Sequence, residues 1–180
     1  MMRQLLVFVC VLVVLRTAAL PVCVEASEKQ ISGQFRYSHE PMEGEPDFTE
    51  IMYQEGDFTG RATHIGSFTG TGETYVEFID VPDPDRFEGI EAITEFRGNF
   101  TWSRPEGTLE GNFVGWNYLI FDDGTPVFGV VAILTVKDGT GRFYGAKGEL
   151  LAMGIDDPYD LLGISGVDAE FSGTLILPED

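Results

Sequence analysis

An all-β fold is predicted, a single closed antiparallel barrel of about eight strands behind an export signal. Three observations carry it. The hydrophobic period along the chain is 2 almost everywhere, and no stretch has the period of a helix. The 22 glycines are too frequent for helices. Glycine, one residue, then phenylalanine recurs at Gly33/Phe35, Gly66/Phe68, Gly98/Phe100, Gly111/Phe113 and Gly141/Phe143, and in reverse at Phe171/Gly173. Residues two apart on a strand share a face. A glycine there leaves a hole that a ring from the next strand can fill, and it allows the coiling a small barrel needs. A two-sheet sandwich is the competing architecture, and the glycines on the apolar face speak against it.

The elements follow in chain order. Leu5 to Leu15 is an uninterrupted apolar run behind Arg3. As a helix it reaches roughly 16 Å, too short for about 30 Å of hydrocarbon, so residues 1–26 read as a signal peptide. Cleavage is expected after Ala26, with Ala19 as the second site, leaving 27–180 as the barrel domain in a secreted or periplasmic setting. Leu20-Pro21-Val22-Cys23 leaves open a lipid anchor at Cys23. Cys10 and Cys23 both depart with a leader cut after Ala26, so the mature domain must hold without a disulfide.

Ile31 to Tyr37 is the first clear strand, with Ile31, Gly33, Phe35 and Tyr37 on one face. A weaker strand is expected at 48–54, then strands at 60–70 and 73–79. Ala92 to Arg104 alternates most cleanly, setting Ala92, Thr94, Phe96, Gly98, Phe100 and Trp102 against polar neighbours. Strands at 107–120, 126–137 and 142–153 follow. Val167 to Leu177 closes the set. Asp122-Asp123-Gly124 and Lys137-Asp138-Gly139 are Asp-Gly hairpin signals. Glu40 to Asp47, Val81 to Gly89 and Ile155 to Gly163 are surface loops. None is long enough to link two domains.

Eleven basic and 30 acidic residues give a net charge of −19. Losing Arg3, Arg16 and Glu25 with the leader leaves 9 and 29, or −20. Such a surface repels phosphates, which excludes nucleic acid as a partner and disfavours anionic lipid. It favours solubility. Once the leader is gone, no membrane insertion is expected.

Gly139-Thr140-Gly141-Arg142-Phe143-Tyr144-Gly145-Ala146-Lys147-Gly148 resembles the Gly-Gly-Thr-Gly-Arg-Phe-x-Gly-Ala-x-Gly stretch near the last strands of the allene oxide cyclase and dirigent barrels. It is equally similar to secreted bacterial proteins of that barrel type. Gly60 to Thr69, containing Ala62-Thr63-His64, looks like a segment of those bacterial proteins, and Phe171-Ser172-Gly173-Thr174-Leu175 is similar to their closing strand. The resemblance spans about a third of the chain. It implies an eight-stranded barrel with a central cavity, oligomeric in many plant members. It carries over no activity, because the plant cyclase's catalytic stretch and the dirigent acidic pocket match no position here.

Candidate chemistry is sparse. Of the two histidines, His39 is expected in solvent beside its loop. Alternation places His64 on the face of Ala62, Gly66 and Phe68, where it is either a structural histidine or the one candidate catalytic acid–base. Tyr37, His64, Trp102 and Tyr144 are the candidate ligand contacts, as polar tips on apolar faces; packing is the alternative for each. No metal site is expected. Asp83, Asp85, Asp156, Asp157 and Asp160 offer oxygen ligands, but their spacing does not fit a calcium loop and they read as solvated acids. No cofactor is implied, and Gly-x-Ser-x-Gly is absent.

The leading expectation is a secreted barrel binding a small apolar molecule in or at its mouth, without catalysis. The alternatives are an isomerase or cyclase working in the cavity through His64, and a structural or interaction module with a filled core. The last would form a homo-oligomer through Val114, Trp116, Ile120 and Ile176.

Overall fold

A computed structural model describes residues 26–40, 51–79, 90–122, 125–157 and 166–179. Eight strands are present: β1 (Ala26–His39), β2 (Met52–Ala62), β3 (Gly66–Ile79), β4 (Ile90–Arg104), β5 (Gly107–Asp122), β6 (Thr125–Gly139), β7 (Lys147–Asp157) and β8 (Gly166–Pro178). Each pairs antiparallel with the next, and β8 returns to β1, closing the barrel in simple up-and-down order. Closure leaves no sheet edge, which decides against the sandwich. The Cys10, Cys23 and signal-peptide readings lie outside the described residues, as do Asp83, Asp85, Asp123, Gly124 and Asp160.

Several boundaries differ from the sequence reading. The expected strand at 60–70 is broken by a turn at 63–65, and β3 runs unbroken from Gly66 through Gly70-Thr71-Gly72. Composition misleads here. The glycine pair that looks like a turn lies inside a strand, where Phe58 and Tyr37 rings cover Gly72. The real turn contains Thr-His-Ile. It is held by Thr63 N–H donating to Ser32 O at 2.9 Å and Ser32 N–H donating to Thr63 Oγ1 at 3.0 Å. The expected strand at 142–153 likewise begins only at Lys147, after a 3₁₀ turn at Gly141–Phe143. Lys137-Asp138-Gly139 is not a hairpin tip, because Gly139 still belongs to β6. The Asp138 carboxylate instead accepts from the Gly139 and Gly145 amides at 2.8 and 3.2 Å. Gly141 has φ +56, and a Cβ there would press on the Glu106 carbonyl, so the turn needs glycine. β1 starts at Ala26, opposite Pro178. The residue expected to end the leader is thus part of the strand.

The glycine–phenylalanine device holds across β4 and β5, but not at Gly141/Phe143, which form the 3₁₀ turn, nor at Gly66, which faces Arg104 rather than a ring. Across β4 and β5, Phe96 faces Gly115, Gly98 faces Phe113 and Phe100 faces Gly111. A Cβ on Gly98 would stand 2.6 Å from the Phe113 ring, and one on Gly115 2.5 Å from Phe96. Each glycine is a socket for the ring opposite.

The barrel has two unlike ends. The connections after β2, β4 and β6 lie at one end, together with the start of β1 and the end of β8. Here the 3₁₀ turn drives Phe143 and Ala146 into the interior, so this is the plugged end. Above the plug sits Trp102, 1% exposed. It stacks on Phe68 at 4.3 Å and lies 4.9 Å from Phe100 and 5.3 Å from Phe171, centroid to centroid. The connections after β1, β3, β5 and β7 lie at the other end, the loop end. The Arg36 guanidinium donates to both Asp168 oxygens, at 2.8 and 2.6 Å, and so clamps the closing β1–β8 seam from outside.

Candidate functional site

The interior changes character halfway along the barrel axis. The plugged half is filled by rings. The loop half encloses a cavity of about 60 Å³ walled by Phe35, Phe58, Phe96, Phe113, Val130 and Ala132. A space of that size holds about four or five waters. His39, Tyr37, Thr74, Asn117 and Asp156 add polar groups to its wall.

Strand parity puts them there. On β1 the inward series Ile31, Gly33, Phe35, Tyr37 continues to His39, and on β7 the series Leu150, Ala152, Gly154 continues to Asp156. β1 pairs with β2 and β8, and β7 with β6 and β8, so only tertiary closure brings His39 and Asp156 together.

His39 is 8% exposed and Asp156 7%, so both readings that placed them in solvent are corrected. Asp157 is buried as well. The first three residues of the expected loop, Ile155 to Asp157, belong instead to β7, which draws these carboxylates into the barrel end.

The polar groups are connected. The His39 Nδ1 lies 2.9 Å from the Glu40 carbonyl, which can only accept, so Nδ1 carries the proton. Nε2 then faces Asp156 Oδ1 at 3.7 Å, an ion-pair rather than a hydrogen-bond distance. Asn117 Nδ2 donates to the other Asp156 oxygen at 3.0 Å. Thr74 Oγ1 donates to the Tyr37 hydroxyl at 3.2 Å, and that hydroxyl donates to Gly72 O at 3.3 Å. Two buried acceptors, Asp156 Oδ1 and Asn117 Oδ1, receive no hydrogen bond from the described residues.

Burial opposes the charged form of the His39 ring. Attraction to Asp156, the Glu40 carbonyl and the Asp157 charge outweighs it, and the pKa stands above the ordinary histidine value. Burial is also the main cause that raises the Tyr37 phenol.

The four sequence-selected residues fall into three places. Tyr37 lines the cavity. Trp102 is sealed in the plugged half, with no hydrogen-bond partner for its Nε1 among the described residues. His64 is exposed, at the tip of the β2–β3 turn with φ +59. The turn reverses the parity on which its inward placement rested, and Ile65 takes the interior position instead. His64 therefore cannot serve as an acid–base inside the barrel. Tyr144 is 74% exposed on the outside of the plug, far from the inward face assigned to it. Sequence reasoning missed His39, Thr74, Asn117 and Asp156. The signal was available: extending the β1 alternation by one step and carrying the Leu150, Ala152, Gly154 alternation on along β7 reaches two of them.

Among the described residues, no three His, Cys, Asp or Glu side chains gather in a way that could hold a metal ion. No described helix is long and apolar enough to cross a membrane.

No family profile matches the chain, and no curated protein does. Among solved structures, the chain is similar to the pterocarpan synthase dirigent protein GePTS1. The TM-score is 0.44 and the identity 12%, over 92% of this chain and 99% of that one. The closed eight-stranded antiparallel barrel stands on the chain's own strand pairing.

Proposed function

We propose that this is an exported barrel that binds a small, largely apolar molecule in its loop half. The observation that carries the reading is the one-ended cavity. Aromatic and aliphatic walls meet a few convergent polar groups, the lining of a small-molecule site, in a volume of about 60 Å³ that limits the occupant to a few heavy atoms. A barrel built only as a rigid module would gain from rings at both ends, because buried polar groups cost stability when unpaired. Export rests on the Leu5 to Leu15 run. The test is a titration with n-butanol followed by methyl-resolved NMR. Shifts should concentrate at Val76, Val130, Ala132, Leu134 and Val167 and should vanish in Val130→Phe. Shifts confined to outer-wall Leu151 and Met153, or none anywhere, would sink the reading.

A second reading concerns the outer wall, where a second copy of the chain is the favoured partner. Val114, Ile133 and Leu151 lie in one cross-strand row, and Trp116, Val131 and Met153 in the next. Trp116, Ile133, Leu151 and Met153 are exposed. These two rows carry no charge on a chain of net charge −19, so this is where two copies meet with least repulsion. Ile176, also expected outward, is exposed on β8; the Ile120 side chain lies outside the described residues. Native mass spectrometry should show an oligomer that Met153→Lys dissociates, and a monomeric wild type would end this reading.

A further inference from the structure

Resting on the binding reading above, we infer that the molecule bound in the cavity carries a primary ammonium head. Its acceptors are Asp156 Oδ1, Asn117 Oδ1 and His39 Nε2. The argument begins with what is unpaired. Asp156 is more than nine-tenths buried on the cavity wall, and its Oδ1 accepts no hydrogen bond from the described residues. Asn117 fixes itself on the other Asp156 oxygen, which leaves its own buried Oδ1 equally unpaired. His39 commits its Nδ1 proton to Glu40, so the neutral ring presents a lone pair at Nε2, 3.7 Å from Asp156 Oδ1. Acceptors from three strands thus share one part of the wall: His39 Nε2 lies 3.7 Å from Asp156 Oδ1, and Asn117 is held to the same carboxylate through its Nδ2. A primary ammonium has three N–H donors. A hydroxyl has one, and a carboxylate has none.

Charge agrees with this count. Of the described residues lining the cavity, His39 is the one able to carry a positive charge, and Asp156 supplies a negative one. Asp157 on β7 is buried beside it, and Glu55 and Asp57 on β2 act on the neighbouring Tyr37 from the other side. Tyr37, Phe35 and Phe58 put aromatic rings on the same wall, surroundings that favour a cation. A buried carboxylate is costly unless paired. Without a ligand, a proton on His39 can supply the counter-charge. An ammonium replaces it, so ligand and proton compete for one place.

The experiment titrates n-butylamine, n-butanol and butyrate against the full barrel, reading the same cavity methyls. At alkaline pH, above the raised His39 value where the ring is neutral, butylamine should bind roughly tenfold or more tighter than butanol. Charge-assisted hydrogen bonds of about 1.5–3 kcal/mol correspond to that factor. Butyrate should bind most weakly. The amine's advantage should shrink at about pH 5.5 and be lost in Asp156→Asn. In His39→Gln the advantage over butanol should survive while its pH dependence disappears, which decides the matter even if Asp156→Asn fails to fold. Equal binding of butylamine and butanol would overturn the ammonium assignment and leave the binding reading standing. So would an amine advantage kept in Asp156→Asn, or a pH dependence kept in His39→Gln. If none of the three moves the cavity methyls, the binding reading itself fails.

Discussion

The two halves of the barrel are made from the same strands and solve opposite problems. In the plugged half the inward positions are mainly apolar, and Trp102, Phe68, Phe100 and Phe171 close around one another above the 3₁₀ turn. In the loop half the inward series end in His39, Thr74, Asn117 and Asp156, and the rings, though they touch at Tyr37–Phe58 and Phe96–Phe113, leave a cavity between them. The difference teaches where stability and recognition reside. One half holds the barrel shut by burial alone. The other keeps polar groups inside the wall, and two of its acceptors go unpaired.

The largest effect should come from Trp102→Ala. Removing the ring at the centre of the cluster should cost about 3–5 kcal/mol, read as a shift in denaturant midpoint. A loss no larger than a surface substitution gives would mean that the plugged half is not the stabilising one. A smaller effect belongs to His39. Its folded pKa is raised, so its contribution to stability is present in full below the unfolded value near 6.5. That contribution fades as pH rises through the folded value. Unfolding midpoints should therefore fall from mildly acid to mildly alkaline pH, and His39→Gln should flatten that part of the profile. A wild-type profile that rises over the same window would contradict the buried His39–Asp156 pair. The smallest effect is at His64. Replacing it with glycine relieves a left-handed backbone angle against the greater freedom glycine has when unfolded, so stability should rise by only ~0.5 kcal/mol. Butanol binding should not change, because the side chain is outside the barrel at the far end from the cavity. Altered binding in His64→Gly would blur the distinction between the two ends.

Much of the fold was legible because strand parity is a local property. Ala92 to Arg104 alternates without a break and is β4 almost to the residue. That a ring from the next strand fills a glycine's hole was legible; which ring, Phe113 for Gly98 and Phe100 for Gly111, is decided by the β4–β5 register. Turns were less legible. Gly70-Thr71-Gly72 has turn composition but lies in a strand, because a ring needs the space a side chain would take. Thr63-His64-Ile65 lacks turn composition but reverses the chain, because hydrogen bonds to β1 hold it there. That one slip moved His64 from the inside to the outside. The candidate site was legible only at Tyr37, since its other members lie at strand ends, where alternation had been stopped too early.

By itself, the sequence determined an all-β chain of inward rings and sockets and its acidity. Period and composition act within a few residues, and no distant contact is needed to read them. The tertiary structure decided that the last strand meets the first, and with that closure which inward positions become neighbours. His39 and Asp156 are 117 positions apart in the sequence and stand on strands that do not pair with each other. Their meeting depends on the curvature of the whole barrel, a property that no single strand carries.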